Sequence, residues 1–344
     1  MNLNSAVRLA LRPLSLLYGG GARARVWLYS KGILRRRSLP QIVMSVGNLT
    51  VGGTGKTPMV LWLAERLMAE GKRVAILTRG YKSRGSQNVS AERKVSDEVH
   101  LLVRRTAGRV QVVVGANRYW EALRTEKKDV EWFVLDDGFQ HLRLARDVDI
   151  VLVDALNPFG GGLLPAGRLR EPLSALARAD ILVITRSGAT PAIEEQLQRY
   201  TAAPVFYAQT QLESILPVPG TPGAAGPLSS PGATKFFSFC GIGNPAGFWS
   251  DLNKRWGFQL AGAKAFRDHH AYTTYELRKL EREAQAAGAE ALVCTEKDVY
   301  NLPADKFEIL PAYYCRIGLQ LNDADGFWRA ILATVERRRT GGAR

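Results

Sequence analysis

The chain has 344 residues, of which 46% are apolar and 23% charged, and it carries a net charge of +15. The length predicts two domains, and the composition is ordinary for a soluble globular protein. The three cysteines lie far apart, which argues against a disulfide framework and a cysteine-based zinc site and indicates reduced, cytoplasmic thiols.

Residues 1–37 form a basic amphipathic segment. Nine Lys and Arg residues and no acidic residue precede Glu65. The longest uncharged stretch, residues 13–22, is too short to span a bilayer, and no signal-peptide cleavage pattern follows it. Because the segment also carries Trp27 and several leucines, it predicts a helix that lies on an anionic membrane surface. The alternative is a solvated basic face whose apolar residues pack on the core; nucleic acid is not expected, because no recognition motif accompanies the charge.

The segment Ser45–Pro58 reads Ser-Val-Gly-Asn-Leu-Thr-Val-Gly-Gly-Thr-Gly-Lys-Thr-Pro. An apolar run, 42–46, predicts a buried strand before it, and the amphipathic stretch 58–70 predicts a helix after it, with Pro58 at the first position. A glycine-rich turn in this place directs N–H groups at a phosphate, with a lysine facing the β- and γ-phosphates and a threonine hydroxyl binding Mg²⁺. Thr50 stands where such loops usually have their first glycine. The predicted nucleotide-binding residues are Thr50, Val51, Gly52, Gly53, Thr54, Gly55, Lys56 and Thr57.

Short apolar runs alternate with helical patterns through the first two-thirds of the chain. This alternation predicts an α/β fold, namely a P-loop NTPase-like domain with a mostly parallel sheet whose ligands bind beyond the carboxyl ends of the strands. Further strands are predicted at 74–78, 111–114, 132–136, 149–153 and 181–185.

A second, smaller α/β domain is predicted after a segment rich in proline and glycine. Its expected elements are strands at 236–239 and 291–294 and a helix ending near Gly288, with a capping box of Thr273 and Glu276. The predicted organisation is a membrane-surface segment 1–37, a phosphate-loop domain 38–212, a linker or loop 213–234, the smaller domain 235–330 and a basic tail 331–344.

The predicted strand 132–136 ends in two carboxylates, Asp136 and Asp137. In phosphate-loop enzymes an Asp in this place binds Mg²⁺ directly or through water. Successive side chains of an extended chain point to opposite sides, so at most one of the two is expected to face the metal directly, and the sequence leaves open which. Gln140 and His141 follow the same strand and are candidates for metal or phosphate contacts. The alternative is an Asp-Asp-Gly turn without a function.

Two of the four histidines stand in Phe266-Arg-Asp-His-His270. Two histidines without a third ligand do not make a structural metal site, whereas a proton relay with a carboxylate is chemically possible. Taken alone, Ser96-Asp-Glu98 and Leu169–Pro172 read as solvated surface.

Together these segments resemble the tetraacyldisaccharide 4'-kinase family of lipid A biosynthesis. The resemblance extends from the basic N-terminal segment to about residue 300 and includes the substitution at Thr50, which is typical of this family. The motifs that carry it are Gly47–Pro58, Thr78-Arg-Gly-Tyr81, Ser96-Asp-Glu98, Asp136-Asp-Gly-Phe-Gln-His141, Leu164–Pro172, Phe266-Arg-Asp-His269 and Thr295-Glu-Lys-Asp298.

The resemblance implies transfer of the γ-phosphate of ATP, with Mg²⁺, to the 4'-hydroxyl of a tetraacyl glucosamine disaccharide 1-phosphate, which forms lipid IVA. It places the enzyme at the cytoplasmic face of the bacterial inner membrane as a peripheral or monotopic protein, and we expect no protein partner. A cleft that closes between the two domains is also implied.

The resemblance further assigns roles to individual residues. Asp97 resembles the base for the sugar hydroxyl and His269 its partner from the second domain, and Lys56 is the third catalytic residue. Ser96 stands where the family usually has glycine before the Asp-Glu pair. The implied metal-binding residues are Thr57, Glu98, Asp137, Gln140 and Glu171. The implied substrate-binding residues are Arg79, Tyr81, Arg170 and His141.

Two other functions are considered. A phosphate-loop GTPase of the targeting or metallochaperone kind reads guanine through Asn or Thr, then Lys, one residue and Asp, and Thr295-Glu-Lys-Asp298 does not have that spacing. A non-enzymatic, nucleotide-gated membrane adaptor would bind lipid in an ATP-dependent way and form no phosphorylated lipid.

Overall fold

The computed structural model describes residues 5–80, 96–125, 129–224, 226–304 and 307–341. The chain divides into two compact units, each described by itself: unit 1 comprises Met1–Thr210 and Leu319–Arg344, and unit 2 comprises Gln211–Gly318. The predicted smaller domain, 235–330, differs from unit 2 at both ends. The chain returns to unit 1 after Gly318, and the sequence does not predict this boundary. It lies inside a strand and has no proline- or glycine-rich linker beside it.

Unit 1 contains a parallel β-sheet. Its strands are β1 (Ile42–Asn48), β2 (Val74–Thr78), β3 (Gln111–Val114), β4 (Trp132–Asp136), β5 (Val148–Asp154), β6 (Ile181–Thr185) and the first part of β7 (Val205–Pro217). They stand in the order β3-β2-β4-β1-β5-β6-β7 and pair in parallel. The predicted strands are confirmed, because the near-continuous apolar runs that mark them are those of a sheet buried on both faces.

Parallel pairing brings the carboxyl ends of the strands to one edge of the sheet of unit 1. β1 lies between β4 and β5, with Val46 of β1 opposite Asp136 of β4. The loops that follow β1, β4 and β5 therefore start next to one another.

The α-helices of unit 1 before residue 210 that the structure describes are α1 (Ser5–Ser30), α2 (Lys56–Ala69), α3 (Asp97–Arg105), α4 (Arg118–Leu123) and α5 (Pro191–Gln198). α2 begins at Lys56, two residues before the predicted start, because Gly55 turns the chain into the helix with a left-handed φ of 85°. Pro58 is then the third helical residue, where a backbone N–H has no intrahelical acceptor, so proline is tolerated there.

α1 is one continuous helix that runs through Gly19–Gly21. One side contacts a loop of unit 1: Ala166 N donates to Ser15 Oγ (3.0 Å), and Ser15 Oγ donates to Leu163 O (3.1 Å). Gly19 lies so close to Leu163 that a Cβ would be 2.6 Å from its Cδ1. Large apolar side chains of α1 remain exposed, among them Leu9, Leu14, Leu16, Leu17 and Trp27. These side chains are not part of the core.

Unit 2 is a smaller α/β unit. After the last part of β7 it contains β8 (Lys235–Cys240), α6 (Pro245–Ser250), β9 (Gln259–Ala265), α7 (Thr274–Ala286), β10 (Ala291–Thr295), α8 (Glu296–Val299) and most of β11 (Ala312–Leu321). The order β11-β10-β8-β9 is parallel throughout. The predicted capping box of Thr273 and Glu276 is confirmed at the start of α7. The predicted loop 213–234 starts too early, since β7 extends to Pro217.

The expectation of a basic tail at 331–344 is wrong for the residues that the structure describes. Residues 331–341 continue the helix α9 (Ala324–Gly341). Two of its arginines bind carboxylates of unit 1: Arg338 NH2 lies 2.8 Å from Asp180 Oδ1, and Arg339 Nε lies 3.1 Å from Asp147 Oδ1. The basic residues thus have long-range partners that the local sequence does not reveal.

Candidate active site

The loop between β1 and α2, residues 49–55, is built on glycines with positive φ. Gly52 has φ 126° and Gly55 has φ 85°, conformations that side-chain-bearing residues rarely adopt. A Cβ on Gly52 would lie 2.4 Å from NH2 of Arg168, so the loop passes directly against this guanidinium. The positive φ and the close approach both favour glycine at position 52.

Residues near 168 and at the end of β6 fix the phosphate loop through its backbone. Val51 N donates to Arg168 O (2.8 Å), and Arg168 Nε donates to Val51 O (3.1 Å). Arg186 NH2 donates to Gly53 O (3.0 Å), and Thr185 Oγ1 donates to Thr54 O (3.1 Å). Since these carbonyl oxygens are occupied by the protein, the loop is held as a preformed anion site at the N-terminus of α2.

Thr50 takes part in this anchoring. It forms an isolated antiparallel bridge with Leu169, and Arg170 N donates to Leu49 O (2.7 Å). Asn48 Nδ2 donates to Thr50 O (2.8 Å). The residue that replaces the usual first glycine therefore pairs with the segment that carries Arg168 and Arg170.

Lys56, Asp137 and Arg170 form a charged cluster at the start of α2. Lys56 Nζ lies 3.5 Å from Asp137 Oδ1 and donates to Asn48 Oδ1 (3.3 Å). Arg170 NH1 donates to both carboxylate oxygens of Asp137, at 2.9 and 2.7 Å. Burial opposes ionisation of this carboxyl, but Lys56 and Arg170 outweigh it and lower the pKa of Asp137. Two cations thus face one carboxylate that stays ionised.

Asp136 and Asp137 have different partners, and these partners show which of the two carboxylates faces the phosphate loop. Asp136 is buried and accepts a hydrogen bond from Thr78 Oγ1 (3.2 Å), whereas Asp137, with φ 50°, turns its carboxylate to Lys56 and Arg170. Gln140 lies beside the cluster: its Nε2 donates to Asn48 O (2.9 Å), and its Oε1 is 3.5 Å from Arg170 NH1. Asp137 is therefore the carboxylate of the pair that faces the phosphate loop.

A cavity of about 770 Å³ in unit 1 joins this cluster to helix α1. Its lining includes six of the residues predicted for metal or substrate binding, namely Arg79, Asp137, Gln140, His141, Arg170 and Glu171. Val51 of the phosphate loop and residues of α1, including Tyr18 and Arg25, also line it. Arg25 NH2 donates to Gln140 O (3.1 Å), so α1 is bonded directly to the loop that carries the predicted ligands.

His141 is a neutral imidazole in a basic part of this cavity. Burial and the nearby Arg118, Arg146 and Arg25 lower the pKa of His141 to about 3. Its Nε2 is buried and has no hydrogen-bond partner within the described part of the chain. A neutral imidazole among arginines can donate or accept a hydrogen bond without a proton change near neutral pH, which suits contact with a polar or anionic substrate group.

The predicted metal ligands do not form a cage of carboxylates. Among the described residues, no three His, Cys, Asp or Glu side chains converge as a metal site. Glu171 lies 2.8 Å from Arg178 NH2, and Thr57 is buried at the start of α2. This arrangement fits Mg²⁺ in a phosphotransferase, because that ion keeps waters and substrate phosphates as ligands and needs one or two protein carboxylates. Asp137, held ionised at the phosphate loop, has the required chemistry.

Asp97 and His269 belong to different units. Asp97 opens α3 in unit 1, is buried, and accepts a hydrogen bond from Glu98 N at its Oδ1 (2.9 Å). His269 belongs to unit 2, has φ 57° and is partly exposed. Glu98 is half-buried on α3. Tyr81 lies outside the described residues.

Comparison with known proteins identifies the family. A family model for tetraacyldisaccharide-1-P 4'-kinases matches residues 7–336. The chain belongs to this family. The tetraacyldisaccharide 4'-kinase of Geobacter sulfurreducens is 42% identical over 311 residues, which cover 86% of this chain and 85% of that protein. That of Desulfotalea psychrophila is 39% identical over 334 residues, 88% of this chain and 90% of the other.

A solved structure of a family member has the same fold. The crystal structure of LpxK from Aquifex aeolicus in complex with ATP matches with a TM-score of 0.73 and 31% sequence identity, over 96% of this chain and 99% of that one. Family membership confirms the resemblance drawn from the sequence, the P-loop α/β fold and the kinase activity.

Several residues of the site are missed by sequence reasoning. Asn48 and Arg168 stand inside recognised motifs, but no charge pattern or spacing distinguishes them from their neighbours. Arg186 follows the end of β6, and the rule that ligands bind beyond strand ends would have found it. Arg25 and Arg118 line the cavity from α1 and α4, and their sequence context gives no signal for this.

Proposed function

We propose that this kinase transfers the γ-phosphate of ATP, with Mg²⁺, to the 4'-hydroxyl of a tetraacylated glucosamine disaccharide 1-phosphate, forming lipid IVA in lipid A biosynthesis. Beyond the family assignment, one observation carries the proposal. The same cavity of unit 1 is lined by Val51 of the phosphate loop, by Asp137 and Arg170 of the charged cluster and by residues of the amphipathic helix α1. A sugar that hangs from membrane-embedded acyl chains and a nucleotide phosphate can meet in such a cavity.

The described residues fit a nucleoside triphosphate. Gly52 has no room for a side chain, α2 directs its N-terminus at the loop, and the buried hydroxyl of Thr54 has no hydrogen-bond partner among the described residues. The positive N-terminal end of α2 and Lys56 neutralise phosphate charge, and Arg170 and Arg79 add two cations beside it. When bound, Mg²⁺ would neutralise part of the phosphate charge. Asp137, Gln140 and Thr57 would hold that ion.

For the transfer itself, we assign Asp97 as the base for the sugar hydroxyl and His269 as its partner. Asp97 is fixed at the start of α3, with Oδ1 bonded to Glu98 N, so its carboxylate has a defined direction. Phosphoryl transfer needs mainly such positioning and charge neutralisation.

We further propose that α1 attaches the enzyme to an anionic membrane surface, at the cytoplasmic face of the bacterial inner membrane. None of the helices that the structure describes combines the length and hydropathy required to cross a bilayer. α1 instead exposes Leu16 (72%), Leu17 (74%) and Trp27 (54%) together with arginines, as interfacial helices do. Four acyl chains keep the substrate in the membrane, so an enzyme that rests on the surface reaches it there.

The GTPase alternative is weakened by the position of Asp298. This carboxylate is buried and accepts bonds from Thr295 in a capping box, so it is committed to the fold of unit 2. Phosphoryl transfer from radiolabelled ATP or GTP, with and without the disaccharide 1-phosphate, tests the proposed function. We expect label in the lipid with ATP only. Lipid binding without labelled lipid would instead identify a nucleotide-gated adaptor.

A further inference from the structure

The motif Thr295-Glu-Lys-Asp298 has no part in the proposed chemistry, yet it contains a buried carboxylate that accepts four hydrogen bonds within unit 2. Asp298 is 1% exposed. Its Oδ2 accepts from Thr295 Oγ1 (2.6 Å) and Thr295 N (3.1 Å), and its Oδ1 accepts from Tyr272 OH (2.7 Å) and Gly241 N (2.7 Å). The capping box of α8 needs only the two hydrogen bonds from Thr295. The second pair points away from the helix, to the segments that surround His269.

Gly241 connects Asp298 to His269. Its N–H is held by Asp298, and its carbonyl oxygen accepts a hydrogen bond from His269 N (3.0 Å). A Cβ at this position would lie 2.9 Å from Arg267 O and 3.2 Å from Tyr272 OH. The backbone of Gly241 is therefore packed between the Asp298 carboxylate, the Tyr272 hydroxyl and the segment that carries His269. It couples the position of Asp298 to that of His269.

The backbone of His269 needs such support. Its φ of 57° lies in the left-handed region, which is unfavourable for a residue with a Cβ and persists where the surroundings impose it. The next residue is fixed as well. The His270 ring stacks on the Phe266 ring and meets the Tyr272 ring edge-on, with ring centroids 4.9 and 5.0 Å apart. Its Nε2 lies 3.1 Å from Glu276 Oε1. The segment is thus held on both sides of His269.

We propose that Asp298 and Tyr272 are positioning residues that hold His269 in the geometry required for phosphoryl transfer. The proposal rests on the role assigned to His269 in the proposed function. Tyr272 suits this task because burial and the neighbouring Asp298 raise the pKa of its hydroxyl, so that it remains a hydrogen-bond donor. The motif 295–298 is then a support for His269 from within unit 2.

Tyr272→Phe in the full chain tests the proposal. It removes one donor and keeps the ring, so unit 2 should fold. We expect kcat to fall about ten- to hundredfold, because His269 would be displaced from its reacting position. The KM for ATP should be unchanged, because the phosphate loop is not altered. In a His269→Ala background the same change should lower kcat by less than about twofold, because the supported group is already gone. Tyr314→Phe is the matched control, since Tyr314 is buried in the same core cluster as Tyr272.

Hydrogen exchange provides a readout that does not depend on activity. Tyr272→Phe should remove protection of the His269 amide, whereas Tyr314→Phe should leave it. Unchanged protection, an unchanged kcat, or an equal fall of kcat with and without His269 would each overturn the proposal. If the wild-type chain phosphorylates no lipid, the proposed function fails, and the exchange experiment still decides whether Asp298 and Tyr272 hold His269.

Discussion

Lys56 and Asp137 face each other at the phosphate loop, with Nζ 3.5 Å from Oδ1. Lys56 is the first residue of α2, and Asp137 is the first residue after β4. The pair therefore connects the segments that follow β1 and β4, which are neighbours in the sheet. Arg170 binds the same carboxylate. The cluster carries one net positive charge, which attracts a polyphosphate, and it contains the carboxylate that a magnesium site requires.

Replacing Lys56 by Ala should lower kcat about 10²- to 10³-fold, the effect of removing one group that stabilises charge in a transition state. The fold should persist, because the lysine is a minor part of the buried surface of α2. Lys72→Ala is the control: this lysine is exposed beyond the end of α2. Turnover is measured with radiolabelled ATP and stability by thermal unfolding. Activity near that of the control would contradict the phosphate-loop assignment.

The sheet of unit 1 and the position of the phosphate loop could be predicted, because both depend on local patterns. Buried parallel strands are recognised as apolar runs, and the loop 49–55 is recognised by its glycines before a Lys-Thr pair. The parallel arrangement then brings residues 48, 136 and 154 to one edge without further information. The same holds for the capping box of α7, whose two residues are three positions apart.

The supporting contacts could not be predicted, because they join residues distant in sequence. Arg168 bonds to Val51 across 117 positions, and Arg338 bonds to Asp180 across 158. An arginine on a surface and an arginine in such a pair look alike in the sequence. For this reason the prediction of a basic tail is wrong over residues 331–341, which belong to α9.

Gly52→Ala should destabilise the protein by about 1–3 kcal/mol, the cost of a strained backbone position. The new methyl group meets NH2 of Arg168 and disturbs its bond to Val51, and φ 126° is unfavourable for alanine. Gly53→Ala is the matched control, since a Cβ there has nothing within 4 Å. Unfolding in urea compares the two. Equal midpoints would mean that neither the positive φ nor the contact with Arg168 favours glycine at position 52.

Asp97→Asn and His269→Ala should each abolish most of kcat, and the double variant should be little slower than either single variant. Groups that act as one unit give non-additive losses, because the second substitution removes nothing that is still in use. Single-turnover rates of lipid phosphorylation measure this, with thermal unfolding as the check on folding. Fully additive losses would show that the two residues act independently.

His141 should make the protein less stable as the pH falls. The unfolded chain takes up a proton on His141 near its ordinary pKa of 6.5, whereas the folded protein does so only at about 3. Between these values the unfolded state binds more protons, so the free energy of unfolding decreases with falling pH by up to about 1.4 kcal/mol per pH unit, and above 6.5 the effect is absent.

His141→Gln should remove this part of the pH dependence. Urea unfolding of both proteins at about pH 7.5 and about pH 5.5 isolates the contribution, because all other titrating groups are shared. We expect the variant to lose less stability than the wild type over this interval. Parallel losses would mean that the imidazole is protonated in the folded protein.

Leu16→Ser with Leu17→Ser should weaken binding to anionic vesicles by at least about tenfold, since each leucine contributes about 1.5–3 kcal/mol when fully buried in an apolar phase. Both side chains are more than 70% exposed, so the fold should not change. Tyr275→Ser is the control, because Tyr275 is 77% exposed on α7 of unit 2. Raising the salt concentration should weaken the binding that remains, since the arginines of α1 act through screened charge. Equal vesicle affinity of the leucine variant and the wild type would place the membrane contact on another surface.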